Sequence, residues 1–318
     1  MNYDLIVIGS GPGGYVAAIR ASQLGMKVGV VERAELGGIC LNWGCIPTKA
    51  LLKSAQTYEY AKHAADYGVS IEGSIKPDFE KMVARSRAVA DGMSKGIQFL
   101  FKKNKIDVLV GNGKLVASNQ VEVTDAAVNK TMAEAKHIIL ATGARSKQLP
   151  NLQQDGVKII GYRQAMTLPK QPASMIVVGS GAIGTEFAYF YNAIGTKVTL
   201  VEFLPNIVPV EDEEVSKQLG RSLKKAGIEI MTDSSVEKVE IVDGICKVSI
   251  KTPQGIIERE SEIVLSAVGI TPNLENIGIE ELGIELEKGK IKVDEYYRTN
   301  VPGVYAIEIG RASGRERV

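Results

Sequence analysis

A glycine-rich hexamer occurs twice in this chain, 170 positions apart: Gly9-Ser10-Gly11-Pro12-Gly13-Gly14 and Gly179-Ser180-Gly181-Ala182-Ile183-Gly184. Each copy follows a short apolar run, Tyr3 to Ile8 or Met175 to Val178, and precedes a stretch with helical spacing. Each then reaches a second apolar run that stops at an acid, Glu32 or Glu202. The register extends past the glycines, since Ala18/Ala188, Gly25/Gly195, Lys27/Lys197 and Val31/Val201 stand at the same offset. One Gly-x-Gly-x-x-Gly is a weak signal. Two, each between strand and helix with an acid about twenty residues on, predict two dinucleotide-binding units. The expected class is therefore α/β, with two tandem Rossmann-like domains of three layers each.

The chemistry explains each residue type. The first glycine of a copy allows a tight turn, the second lets backbone approach a pyrophosphate, and the third lets helix and strand pack closely. The helix that follows offers free N–H groups and a positive dipole end to the phosphates. Glu32 and Glu202 are placed to accept hydrogen bonds from ribose hydroxyls. A carboxylate at Glu202 repels a 2′-phosphate, so the second site is expected to prefer NAD to NADP.

Each copy ends in a related apolar strand closed by a glycine, Lys136 to Gly143 (through Thr142) and Glu262 to Gly269. Those are natural exits from one domain to the next. The expected bounds are 1–145 for the first dinucleotide domain, 146–269 for the second and 270–307 for a return to the first. Between them, Asp78 to Lys103 carries Phe79, Met82, Val83, Val89, Met93, Ile97 and Leu100 at helical spacing. It predicts one long helix covering the first sheet.

Shortly after Glu32 come Cys40 and Cys45, in Gly37-Gly38-Ile39-Cys40-Leu41-Asn42-Trp43-Gly44-Cys45-Ile46-Pro47-Thr48-Lys49. In a regular helix a five-residue offset gives about 7.5 Å of axial rise. Disulfide-bonded Cα atoms rarely exceed about 7 Å. Bridging therefore needs broken helix, which Gly44 and Pro47 permit. So short a loop removes little unfolded-state entropy, and reversible electron transfer explains the pair better than stapling. The third cysteine, Cys246, lies on a strand-like Ile245 to Ile250 stretch and reads as packing.

With 38 basic and 37 acidic residues, the net charge of +1 gives no reason to expect nucleic acid or an anionic membrane as partner. The apolar runs are of strand length and too short to span a bilayer. Met1 to Asp4 runs into a strand without a basic leader, so a cytoplasmic location is expected. No spacing of ligand-type side chains predicts a metal.

These stretches together resemble the flavoprotein pyridine nucleotide–disulfide oxidoreductases. The family's redox motif, Gly-Gly-x-Cys-x-Asn-x-Gly-Cys-x-Pro-x-Lys, is complete from Gly37 to Lys49. Cys40 to Leu51 and Val201 to Pro209 look most like the branch that oxidises protein-bound dihydrolipoyl groups to lipoyl with NAD. The resemblance covers about residues 1–307. Alternatives are another FAD-dependent disulfide or mercuric reductase, or a fragment that binds nucleotides without turnover.

The resemblance implies FAD at Gly9, Gly11, Gly14, Glu32, Gly38, Lys49, Thr142 and Gly143. It implies NAD at Gly179, Gly181, Gly184, Glu202 and Gly269. Cys40 would exchange with the substrate dithiol, and Cys45 would hold the thiolate facing the flavin. Lys49 would lie beside the flavin, paired with Glu186. The implied partners are lipoyl domains of 2-oxoacid dehydrogenase or glycine cleavage complexes, and a second copy of the chain in a homodimer.

Two features depart from the family. Its catalytic base is a histidine in a C-terminal interface domain, whereas His63 and His137 here stand in helix-like and strand-like contexts. Arg298 to Ile307 matches the family's last strand before a Gly-Asp that contacts FAD, but Glu308-Ile309-Gly310-Arg311 follows. The expectation is that 308–318 is a non-native tail, with weakened FAD binding and slow turnover.

Overall fold

The computed structural model describes residues 1–308, which divide into two compact units. The first comprises Met1–Cys45, Ala90–Arg145 and the chain from Thr271; the second comprises Ile46–Val89 and Ser146–Ile270. The proposed tail beyond Glu308 lies outside the described residues. In chain order the elements begin β1 (Asn2–Ile8), α1 (Pro12–Gln23), β2 (Val28–Glu32), α2 (Gly38–Asn42), α3 (Cys45–Lys62) and α4 (Phe79–Lys103). There follow β3 (Asp107–Val110), β4 (Asn112–Ala117), β5 (Gln120–Thr124), β6 (Lys130–Leu140), β7 (Ala144–Ser146), β8 (Ile159–Ile160), α5 (Tyr162–Ala165) and β9 (Ser174–Val178). Then come α6 (Ala182–Ala193), β10 (Lys197–Val201), α7 (Glu213–Lys225), β11 (Glu229–Met231), β12 (Ser235–Val242), β13 (Ile245–Thr252) and β14 (Gly255–Ser261). The last are β15 (Ile263–Ser266), β16 (Ile270–Pro272), β17 (Leu286–Glu287), β18 (Lys290–Ile291) and β19 (Val304–Ala306).

The first unit is built on a sheet in the order β3-β2-β1-β6-β5-β4, with β19 also alongside β6. Strand β1 runs parallel to both neighbours, Ile6 facing Gly29 on one side and Ile138 on the other. A central parallel strand is covered on both faces, which is why Tyr3 to Ile8 reads as an almost unbroken apolar run. Ile6, Val7 and Ile138 are fully buried. The chain returns after Thr271 to add Ile279, Ile284, Ile291, Val304 and Ala306 to this core.

The second unit repeats the plan with an all-parallel sheet, β11-β10-β9-β15-β8. An antiparallel sheet, β12-β13-β14, adds Val236, Cys246, Val248 and Ile250 to a core containing Ile176, Val178, Val201 and Val264. Cys246 is fully buried there, and burial pushes its thiol pKa up. It packs as a small apolar side chain.

The long helix forms as α4, but only its part from Ala90 belongs to the first unit. At its start, Phe79 packs tilted against Phe190 and Tyr191, with ring centres 6.4 and 6.1 Å apart. Farther along, Arg85 donates to the Ala50 carbonyl of α3 at 2.8 Å. These contacts group 46–89 with the second unit, where the sequence reading had one uninterrupted domain over 1–145.

Candidate active site

The two glycine loops have nearly the same backbone. Gly9 and Gly179 sit at φ 101° and 97°, a region closed to most side chains. A Cβ on Gly9 would lie 2.0 Å from the Ala141 carbonyl oxygen, and one on Gly179 2.5 Å from that of Ala267. Gly11 and Gly181 begin their helices at the same φ −62° and ψ −178°. The third glycine differs from expectation in what it meets. A Cβ on Gly14 would lie 2.0 Å from the Gly9 carbonyl oxygen, and one on Gly184 1.8 Å from that of Gly179. Its main role is to let the helix close onto its own loop.

The acids at the strand ends are tied into these loops by serines that the sequence reading passed over. Ser10 donates to Glu32 Oε2 from its N–H at 3.0 Å and its Oγ at 2.7 Å. Ser180 does the same to Glu202, at 2.8 and 2.6 Å. The signal was present, since Ser10 and Ser180 share the repeat offset. The Glu202 Oε1 also accepts from the Leu204 N–H at 2.9 Å, so this buried carboxylate is fixed in place. Beside Glu32 a cleft of about 380 Å³ is lined by Glu35, Leu36, Ser94, Gln98 and Val110.

Ser10 also joins the first loop to the cysteine segment, its oxygens accepting from the Gly37 N–H. Gly37 and Gly38 are both left-handed, at φ 96° and 61°, and a Cβ on Gly38 would lie 2.7 Å from Gly11 Cα. Asn42 fastens the short helix by donating to the Leu36 and Gly38 carbonyls at 3.0 and 2.9 Å. The helix breaks where expected: Trp43 leaves helical geometry at φ −138°, and α3 begins at Cys45. A Cβ on Gly44 would come within 3.3 Å of Cys40 Cα, so glycine allows the close approach of the two cysteine segments.

Cys40 and Cys45 are unbridged here, Cys40 half-buried and Cys45 exposed. The Cys40 thiol hydrogen-bonds the Cys45 sulfur, and this bond, with burial, raises the Cys40 pKa well above the usual thiol range.

Lys49 and Glu186 form an ion pair in the second unit. Lys49 lies one turn past Cys45 on α3, and Glu186 is the fifth residue of α6. In the first unit the Thr142 and Gly143 carbonyls accept from the side chain and backbone of Asn273, each at 3.0 Å. Gly269, at φ 112°, accepts from the Lys147 N–H at 3.0 Å. His63, just past the end of α3, bonds the Glu59 carbonyl at 2.9 Å, and His137 lies edge-on to Tyr305 within the sheet. Among the described residues no cluster of His, Cys, Asp or Glu could hold a metal ion, and no helix is long and apolar enough to cross a membrane.

Residues 3–307 match the family described as pyridine nucleotide-disulphide oxidoreductase. The chain belongs to this family. A dihydrolipoyl dehydrogenase of Rhizobium etli is 47% identical, the alignment covering 96% of this chain and 67% of that protein. Another from Zymomonas mobilis is also 47% identical and is matched over 66% of its length. The chain thus spans about two thirds of these relatives. Among solved structures, the Cu(II) complex of the HOCl-induced flavoprotein disulfide reductase RclA from Escherichia coli superposes with a TM-score of 0.83. It is 23% identical over 96% of this chain and 66% of that one, and it shows that this pyridine nucleotide–disulphide oxidoreductase shares its fold.

Proposed function

We propose that this chain carries the electron path of an enzyme that oxidises dihydrolipoyl groups with NAD. The observation that carries the reading is the hydrogen-bonded Cys40–Cys45 pair at a helix break, tied through Ser10 and Gly37 to a dinucleotide loop. The 47% identity to dihydrolipoyl dehydrogenases supports the substrate class. On the same reading the partners are lipoyl domains of 2-oxoacid dehydrogenase or glycine cleavage complexes, and the active form is a homodimer.

The residues present fit the two dinucleotides. Gly9, Gly11, Gly14 and Gly38 form a cradle that Cβ atoms would fill, and Glu32 stands beside a cleft large enough for a nucleoside. These residues, with Thr142 and Gly143, would hold FAD. Gly179, Gly181, Gly184, Glu202 and Gly269 would hold NAD, with Lys49 and Glu186 at the flavin edge. When bound, FAD supplies the two-electron relay between the dithiol and NAD.

The cysteines then act in sequence. In the oxidised pair, a substrate thiolate attacks the Cys40 sulfur, the Cys40–Cys45 bond breaks, and Cys45 leaves as thiolate. The second substrate thiol gives up its proton and attacks the substrate sulfur joined to Cys40. That bond breaks, and Cys40 departs and takes up a proton. Two electrons have passed to the protein, with one proton on Cys40 and the other released. The side-chain bond to Cys45 and burial both raise the Cys40 pKa, in keeping with a proton going to Cys40. His63 and His137 are engaged with Glu59 and Tyr305, so neither is assigned as the base, and turnover by this chain is expected to be slow.

Alkylation of the reduced protein tests which cysteine faces the flavin. Without FAD, iodoacetamide is expected to modify exposed Cys45 ahead of Cys40. Added FAD should protect Cys45 and leave Cys40 the faster, as read by peptide mass spectrometry. Labelling of Cys45 indifferent to FAD would contradict the assignment.

The nucleotide preference has its own test. Glu202→Gln is expected to weaken NADH binding about tenfold, one charge-assisted bond being worth on the order of 1.5 kcal/mol. The preference for NADH over NADPH should shrink in fluorescence titrations. An unchanged ratio would show that Glu202 does not contact the ribose.

A further inference from the structure

The two glycine loops match in backbone but not in what stands over them. Around Gly181 nothing among the described residues lies within 4 Å of a Cβ position. At the equivalent Gly11, a Cβ would lie 2.9 Å from Glu308 Oε1, and at Gly13 it would lie 2.8 Å from Glu308 Cγ. The Glu308 carboxylate accepts a hydrogen bond from the Gly13 N–H at 2.7 Å. It therefore sits on the first turn of α1, where free N–H groups and the helix dipole attract an anion.

The rest of the unit holds it there. Strand β19 runs parallel to β6, and the Ile307 N–H donates to the Leu140 carbonyl at 3.0 Å, which fixes the residue before Glu308. Glu308 itself adopts φ 64°, left-handed backbone that a non-glycine residue adopts at a cost. The negative charge of Glu308 also adds, behind the Cys45 hydrogen bond and burial, to the influences that keep Cys40 protonated.

We infer that Glu308 is an internal anion seated in the pyrophosphate position of the first loop, and that FAD must displace it to bind. The inference rests on the FAD reading of that loop. A carboxylate and a pyrophosphate cannot share one turn of helix without like-charge repulsion. Among the described residues the second loop carries no such occupant, so NAD should bind without this competition. Glu308 thus acts as a gate on cofactor loading and as a cap on α1 in its absence.

Glu308→Gln keeps the shape and an oxygen for the Gly13 N–H but removes the charge; Glu308→Ala removes both. Titration of the flavin-free full chain with FAD, followed by flavin fluorescence, should show both variants binding about tenfold more tightly than the parent. NADH affinity should be unchanged. Without FAD, the thermal midpoint of Glu308→Ala should fall, because α1 loses its cap. Weaker or equal FAD binding by both folded variants, with the parent still binding, would overturn the inference and identify the carboxylate as a ligand or a bystander. If the parent and both folded variants all fail to bind FAD, the flavin reading itself fails, and the inference with it.

Discussion

Cys45→Ser is expected to abolish disulfide turnover, lowering the rate by at least about a thousandfold. A serine hydroxyl can neither form the bridge to Cys40 nor leave as a stabilised anion at neutral pH. The fold should survive, since Cys45 is exposed at the first position of α3 and fills no core. FAD affinity should stay within about twofold of the parent, because the glycine loop is held by Ser10, Gly37 and Glu32 rather than by this sulfur. Cys40→Ser should also stop turnover while leaving an exposed thiol at Cys45, open to alkylation. Lipoamide reduction with NADH, assayed for both variants beside flavin content, checks the prediction. Residual turnover in Cys45→Ser near the parent's would remove the cysteine pair from the mechanism.

The second large effect separates the two nucleotide sites. Gly184→Ala places a Cβ 1.8 Å from the Gly179 carbonyl oxygen, and Gly14→Ala places one 2.0 Å from that of Gly9. The obstructing atoms are backbone, so loop and helix must move apart. Forced overpacking of this kind costs about 1–3 kcal/mol and displaces the N–H groups that would meet a pyrophosphate. Gly184→Ala is expected to lose NADH binding by at least about a hundredfold while FAD binding persists. Gly14→Ala should do the reverse. Paired titrations with FAD and NADH read this directly. Loss of both nucleotides in either variant, with the fold intact, would contradict two independent loops.

Much of this architecture is legible in the sequence because it repeats. The offset that aligns Gly9 with Gly179 aligns the helix starts at Gly11 and Gly181, whose dihedral angles coincide, and the serine–glutamate pairs behind them. Periodicity and glycine placement are local, so one chain reveals them. The break between α2 and α3 was legible for the same reason, since bridging geometry forbids a continuous helix between Cys40 and Cys45.

Contacts between distant residues left less trace. The split of α4 depends on Phe79 meeting Phe190 and Tyr191, more than a hundred residues away, and helical spacing says only that Phe79 is buried. The Lys49–Glu186 ion pair was named from family resemblance, since two charges on different helices carry no pairing signal of their own. Glu308 shows the limit most clearly. The sequence marks it as the start of a departure from the family's Gly-Asp, but only the path of β19 places its carboxylate over Gly11 and Gly13.

The central claim is that Cys40 and Cys45 exchange electrons with a flavin held by the first loop. Anaerobic titration of the FAD-loaded protein with NADH, followed by absorbance, tests it most directly. Uptake of two electrons should produce a long-wavelength thiolate–flavin band that Cys45→Ser lacks, with the Cys40–Cys45 disulfide opening in step. Reduction straight to bleached flavin, with no such band and the disulfide intact by mass spectrometry, would contradict it.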